Sequence, residues 1–369
     1  MNDTLAIIMA GENSLEIGEI TRSRSIGAVP VGARYRTIDF ILSNVVNSRI
    51  ERVGVPTQNY YRSLMDHLGS GSAWDLNRKR YGLLVLPPYL GKSSEDVGDV
   101  DILHGIRDYL AASDHRYVLL AGSDLIFNTT FDELAQFHKE KHADITVMYN
   151  TVTSGERFDH HVELKVDEDG RITDVGVNSV RQKAQRVSMG VMYMEKAFLE
   201  YQIDRCIAHG KHDFVKDVLM HEKRRAKIYG FEYSGYVGRI HDINSYFKCN
   251  MDLLNPEISS KLFDAPQKIY TKVKDQVPTL YGEQAQVKNS IVADGCIING
   301  TVENSIIFRG VQIEKGATVK NSIVMQNTTV GVNANLQYAV LDKSVTVRRD
   351  KTLIGQDTYP IVVGKNVVI

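Results

Sequence analysis

The sequence predicts an α/β body with a mostly parallel sheet, followed by a parallel β-helix built from six-residue repeats. Two observations carry that expectation. Through residue 255, short apolar runs alternate with stretches of helical periodicity, the pattern of strands joined by crossover helices in a sheet covered on both faces. Beyond residue 283, apolar residues return every six positions among Gly, Asn, Ser, Thr and Val, a period that belongs to neither a helix nor a flat strand.

The first apolar run, residues 5–9, leads into Ala10-Gly11 and predicts a buried strand ending at a loop; residues 117–120 and 145–149 repeat the pattern. Between these runs, Ile38, Ile41, Leu42, Val45 and Val46 predict a helix over 38–50. Ile102, Leu103, Ile106 and Leu110 predict another over 99–112, and Phe131, Leu134 and Phe137 one over 131–141. Asp167-Glu-Asp-Gly170 marks a hairpin turn, and a helix is expected over 196–208. Ligands of such a sheet sit at the carboxyl ends of its strands, which places residues 11–14 and 122–124 at the mouth. Pro256, Pro266 and Pro278 then punctuate a connector. After it, Ile307, Ile313 and Val319, then Val324, Val330 and Leu336, follow at intervals of six, with Gly295, Gly300, Gly310, Gly316 and Gly331 in the gaps. Each unit reads as one short side of a stacked coil; a different small glycine-rich β domain is the alternative. Closing strands are expected at 361–363 and 367–369. A stack of coils exposes an end and a flat side, which predicts oligomerisation through this part.

At 369 residues, with 43% hydrophobic and 24% charged, the chain is long enough for a full core and ordinary for a globular protein. Its 44 basic and 45 acidic residues give a net charge of -1, so no long-range field draws nucleic acid or an anionic membrane, and any phosphate site has to be local. No apolar run approaches membrane-spanning length, and residues 1–10 read as a strand rather than a leader. Cys206, Cys249 and Cys296 are odd in number and widely spaced, which predicts a reducing, cytoplasmic setting without disulfides. The histidines, including the adjacent His160 and His161 and the pair His138 and His142, form no metal-ligand pattern.

Pro30-Val-Gly-Ala-Arg-Tyr-Arg-Thr-Ile-Asp-Phe-Ile-Leu-Ser-Asn44 resembles the early signature of one family, the glucose-1-phosphate adenylyltransferases, and Thr57-Gln58 is similar to its next strand end. Ser188-Met-Gly190 resembles its glucose-site segment, and Asn250-Met-Asp-Leu-Leu254 follows the region of its second acidic metal ligand. The resemblance spans nearly the whole chain. It implies a Rossmann-like nucleotidyltransferase domain over 1–255, a connector over 256–282 and a left-handed β-helix over 283–369. It also implies transfer of an adenylyl group from ATP to glucose 1-phosphate, with Mg²⁺ held by carboxylates and donors closed around the triphosphate.

Several positions depart from that pattern, and most of the departures fall on the nucleotide side. The family's glycine-rich loop becomes Ala10-Gly11-Glu12-Asn13-Ser14-Leu15-Glu16: Glu12 and Ser14 replace glycines, and Glu16 stands at the arginine position. Carboxylates then lie where a triphosphate would, and like charge disfavours it. Ile26 replaces a phosphate-contacting lysine, although Arg24 is kept. Asp124 resembles the first metal carboxylate, but Arg239 stands at the second, and a guanidinium cannot ligate Mg²⁺. Pairing of Arg239 with Asp124 is the expected consequence. On the sugar side Ser188, Met189 and Gly190 are present; Gly98-Asp-Val-Asp101 keeps Asp101 but has Asp99 at a threonine position, and Lys183 or Arg181 is the candidate for the sugar-phosphate lysine.

The resemblance is nearest to the family's non-catalytic bacterial companion subunit. It implies a regulatory chain needing no cofactor alone, with Mg²⁺ only in an active partner subunit, assembled as a hetero-oligomer such as a tetramer and sensing a phosphorylated sugar between body and β-helix. Arg22, Arg24, Arg34, Arg36, Arg49 and Arg52 form the candidate phosphate patch, Arg34 and Arg36 foremost because they lie in the signature. His67 and Trp74, on the segment 63–74, are candidates for an effector pocket or a subunit contact, with core packing the alternative for Trp74. A weakly active transferase is the second reading. A hexapeptide acyltransferase would need a histidine in the coils, and 283–349 contains none.

Overall fold

The computed structural model describes the whole chain except residues 11–16, 80, 88–96, 154–160 and 178–183. The body begins with β1 (Thr4–Met9), a short antiparallel pair β2 (Pro30–Val31) and β3 (Tyr35–Arg36), α1 (Thr37–Asn47), β4 (Arg52–Pro56), α2 (Arg62–Leu68) and β5 (Gly82–Leu86). It continues through α3 (Asp99–Gly105), α4 (Arg107–Ala111), β6 (Tyr117–Gly122), β7 (Leu125–Ile126), α5 (Asp132–Glu140) and β8 (Ile145–Thr153). Then come the hairpin β9 (Val162–Val166) and β10 (Ile172–Val177), β11 (Ala184–Glu195), α6 (Lys196–Ala208), α7 (Met220–Glu222), β12 (Ile228–Glu232), β13 (Gly238–Arg239), α8 (Ile243–Asp252) and α9 (Pro256–Phe263).

The sheet runs β10-β9-β11-β6-β1-β4-β5, with β8 pairing β11 and β12. One half is parallel, as the alternation of strands and helices predicts: β1 lies between β4 and β6, and β5 extends the edge. The other half is mixed, because the long β11 runs antiparallel to both β6 and β8. The helix expected over 99–112 is two short helices with the break at Gly105–Ile106, where glycine is a poor helix former and Ile106 leaves helical geometry at φ -105°. Apolar layers cover both faces, one built on Ala6, Ile8 and α1, the other on Leu5, Ile7, α3 and α6. That alternation along β1 is the period-two signature of a strand buried on both sides.

The C-terminal part is a left-handed β-helix whose three faces are parallel sheets, each of five strands among the described residues. Val302, Val319 and Leu336 stack on one face, Ile307, Val324 and Leu341 on the second, and Ile313, Val330 and Val347 on the third, all fully buried. The six-residue period is the step from one face to the next. Corners need left-handed backbone, which explains the asparagines and glycines: Gly310, Gly316, Asn304, Asn321, Asn327 and Asn333 all have positive φ. The expected closing strand forms at Ile361–Val363, and Val368 bridges Thr346. Ile306, Phe308, Ile323, Met325 and Val340 face outward from the coils and merge with Phe40, Tyr246 and Phe247 of the body in one apolar layer. Body and β-helix therefore share a core seam.

Among the described residues no helix is long and apolar enough to cross a membrane. The three cysteines are free and buried.

Candidate functional site

At the mouth of the sheet, β6 ends in Gly122-Ser123-Asp124 beside the end of β1. Asp124 keeps part of its surface open while lying deep in the fold; burial pushes its carboxyl up, and Arg239 pulls it back down. Arg239 reaches this place because β13 pairs antiparallel with β7, Arg239 opposite Leu125, while the Ile240 amide donates to the Asp124 carbonyl at 3.0 Å. Its guanidinium donates to the Ser188 carbonyl at 3.0 Å and to Asn150 Oδ1 at 2.9 Å. The expected pairing with Asp124 thus takes the form of a charge held beside the carboxylate and anchored on β11 and β8. A divalent cation here would need a second hard oxygen ligand, and the side chain at that position is a cation.

Ser188, Met189 and Gly190 form a bulge in β11, between its registers with β8 at Ser188 and Val191. Gly190 takes the left-handed conformation at φ +64°, and its amide donates to Ser188 Oγ at 3.1 Å. Met189 is buried in the core under the mouth, so of the three the bulge itself and Ser188 remain nearest the cleft. Asp101 is 4% exposed and caps α3 by accepting from the Gly98 amide at Oδ2, 3.0 Å, while His212 Nδ1 lies 2.9 Å from the same oxygen and 3.1 Å from Oδ1. Its visible work is to hold α3 to the segment before α7. Asp99 beside it is pushed up to about 6 by burial and then by Asp213. Glu12, Ser14, Glu16, Arg181 and Lys183 lie outside the described residues.

The candidate cations separate into two groups. Arg22 pairs with Glu19, Arg49 with Asp132, and Arg52 lies over the Tyr109 ring, so these three are engaged locally. Arg24 and Arg36 go to the seam. Arg24, 2% exposed, makes two 2.9 Å hydrogen bonds to the carboxylate of Asp342 in the β-helix, while its Nη1 is buried with no hydrogen-bond partner among the described residues. Arg36 donates to the carbonyl and hydroxyl of Ser63 at 2.6 and 3.0 Å, and burial draws it down to about 10. Arg34 is exposed and its charge reaches Arg309, whose own side chain is nearly buried in a β-helix corner. His67 is buried, 2.5 Å from Asp39 and edge-on to the buried Trp74, so both are core side chains under the seam. Burial lowers the His67 ring, against the pull of Asp39.

Ile26 is 4% exposed within the seam's apolar layer. The turn that carries it also touches the cleft floor, since a Cβ on Gly27 would stand 3.1 Å from Ser123 Oγ and 3.5 Å from Ala10. One turn therefore separates the two regions.

Sequence reasoning missed Asn150, Asp342, Lys343, Lys274 and Arg309. The available signal was the charged pair Asp342-Lys343 at a coil corner directly after the apolar run 339–341, and an arginine inside another corner, Phe308-Arg309-Gly310.

A family model for nucleotidyl transferases matches residues 5–255, and one for the GlmU-like C-terminal hexapeptide matches 274–360. The chain is 33% identical to the glycogen biosynthesis protein GlgD of Bacillus subtilis over 370 residues, covering 100% of this chain and 97% of that protein. It is 35% identical to a glucose-1-phosphate adenylyltransferase of Geobacillus stearothermophilus over 320 residues, 85% of this chain and 82% of the relative. This chain belongs to the glucose-1-phosphate adenylyltransferase family. The adenylyltransferase of Bacillus subtilis is equally near, at 34% over 322 residues, so overall identity does not separate the family's members.

Proposed function

We propose that this chain is the regulatory, catalytically inactive subunit of a glucose-1-phosphate adenylyltransferase in glycogen biosynthesis, working through an active partner subunit in a cytoplasmic hetero-oligomer. The observation that carries the reading is Arg239, anchored on Ser188 and Asn150 with its charge on Asp124. A transferase of this family needs Mg²⁺ to neutralise the triphosphate, and a fixed cation at the metal's carboxylate repels it. The chain therefore holds no catalytic Mg²⁺ of its own, and Mg²⁺ belongs to the partner.

The seam supplies the regulatory half. Arg24, Arg36, Lys343, Lys274 and Arg309 come from both parts of the chain, and their charges act on one another. A phosphorylated sugar suits such a cluster because guanidinium groups bind phosphate through paired donors. An anion there would tie body to β-helix, and any preference for one arrangement would pass to the partner as a coupling free energy.

The second reading, a weakly active adenylyltransferase making ADP-glucose, draws on the retained Asp124 and on the similarity to relatives of that name. One assay separates the two: ADP-glucose formation from ATP, glucose 1-phosphate and Mg²⁺ by this chain alone, by an active subunit alone, and by both. Stimulation in the mixture with background turnover by this chain alone is the expected result. Turnover by the isolated chain comparable with the mixture would replace the regulatory reading by the second.

A further inference from the structure

The β-helix face that packs on the body, with Ile306, Ile323 and Val340 in the shared layer, is bounded by two corners. The cations Arg309 and Lys343 follow its strands at one corner, and a column of asparagines precedes them at the other. Asn289, Asn304 and Asn321 stack there coil upon coil, all in left-handed backbone at φ 44° to 47°. The fourth place in the column is Tyr338, at φ 49°. Asparagine tolerates that backbone because its short amide bonds locally, whereas a bulky ring at positive φ is an outlier. Asn327 and Asn333 take the same backbone at the other two corners, so asparagine alone reports only geometry. A tyrosine in its place needs a further reason.

Opposite this column run α8 and the turn after it, and the two walls enclose an open groove of about 390 Å³. Phe247 and Met251 come from α8, Leu254 and Asn255 from the turn. The half-buried Tyr338 ring lies 6.3 Å from that of Phe247, tilted by 48°. On the column side, Asn289 Nδ2 donates to Asn304 Oδ1 at 2.8 Å. Asn304 Nδ2 and the whole carboxamide of Asn321 are left without a hydrogen-bond partner among the described residues. Asp357 adds a carboxylate, and no lysine, arginine or histidine lines the groove among the described residues.

That lining fits a neutral polyhydroxylated ring. Carboxamides donate and accept together, a carboxylate accepts from a hydroxyl, and an aromatic face covers the C–H side of a pyranose. It does not fit a phosphate, which would meet a carboxylate and no cation. We propose that the groove binds a neutral hexose unit, free or within a glucan chain, with Tyr338 as the stacking surface and Asn304 and Asn321 bonding the hydroxyls. The site is separate from the cations at the other corner, and it stands whether or not the chain turns over substrate.

Calorimetric titration of the full chain with glucose and with maltoheptaose at millimolar concentrations tests this, alongside two variants that respect the corner's backbone. Tyr338→Asn gives the column its own residue type, and should unfold at no lower a temperature while binding about tenfold more weakly. Asn321→Gly keeps the left-handed backbone without the carboxamide, and should weaken binding several-fold. Tighter binding of maltoheptaose than of glucose identifies a glucan strand as the ligand, and equal binding a single hexose; both uphold the groove. No binding of either sugar overturns it. Unchanged affinity in either variant also overturns it, because the sugar then sits elsewhere, as in the cleft beside Ser188. Displacement of bound sugar by inorganic sulfate does the same, since the site is then one for anions.

Discussion

The cleft at the end of the sheet and the seam against the β-helix are built from the same kinds of charged side chain, arranged to opposite effect. In the cleft a carboxylate is kept and a cation is set beside it, so that charge is cancelled from within. At the seam Asp342 is bound to Arg24, and the charges of Arg36 and Arg24 act against the charging of Lys343. A site whose charges are balanced internally has little left to offer a ligand, whereas a surplus held by a buried apolar layer calls for a counter-ion. The fold of a transferase survives in both regions; the two sites, rather than the fold, distinguish what the chain can do.

The largest expected effect tests the seam's anchor. Asp342→Ala leaves the guanidinium of Arg24 buried without its carboxylate and should cost about 3–5 kcal/mol in denaturant unfolding, since breaking one side of a buried pair strands the other charge. A loss under about 1 kcal/mol would make the seam a surface contact rather than a shared core.

Next comes the end of the sheet away from the cleft. Burial draws His138, hydrogen-bonded to Thr146 at 2.9 Å, down to about 4. Its folded value lies below its unfolded one, so its contribution is fully present above pH 6.5 and disappears as pH falls toward 4. Stability measured over that window should drop up to about 3 kcal/mol more in the native protein than in His138→Gln. Parallel curves would show that the ring is not held neutral.

A smaller change addresses the cleft directly. Arg239→Asp sets a second carboxylate by Asp124, and Mg²⁺ should bind about tenfold more tightly, roughly 1.4 kcal/mol, by calorimetry. Unchanged metal affinity would mean that Arg239 is not what closes the site to metal. The smallest effect belongs to the bulge: Gly190→Ala, in open space at φ +64°, should cost about 1 kcal/mol from its left-handed backbone alone.

Much of this architecture was legible because periodicity reports burial. The run at 5–9 is a strand buried on both faces, and the six-residue repeat is the step around a three-sided coil. The helix over 99–112 misled because Ile102, Leu103, Ile106 and Leu110 keep helical spacing across a break at Gly105–Ile106. Among site residues, Arg239 was legible, since a cation at a carboxylate's position changes sign in a recognisable segment. Asp101 caps a helix and Met189 fills the core, tasks that the motif alone did not announce. Arg24 with Asp342 was invisible because the partners stand 318 positions apart, and nothing local in either segment announces the other.

The proposed function has regulation acting through the seam and no turnover in the cleft. The most direct measurement is stimulation of an active glucose-1-phosphate adenylyltransferase subunit by this chain, with a phosphorylated sugar present, comparing the native protein with the double variant Arg36→Gln and Lys343→Gln after each is shown to be folded and to co-elute with the partner. The account predicts that the seam variant loses most of the effector-dependent stimulation while neither protein turns over substrate alone. Full stimulation by the seam variant, or turnover by the isolated native chain, would contradict it.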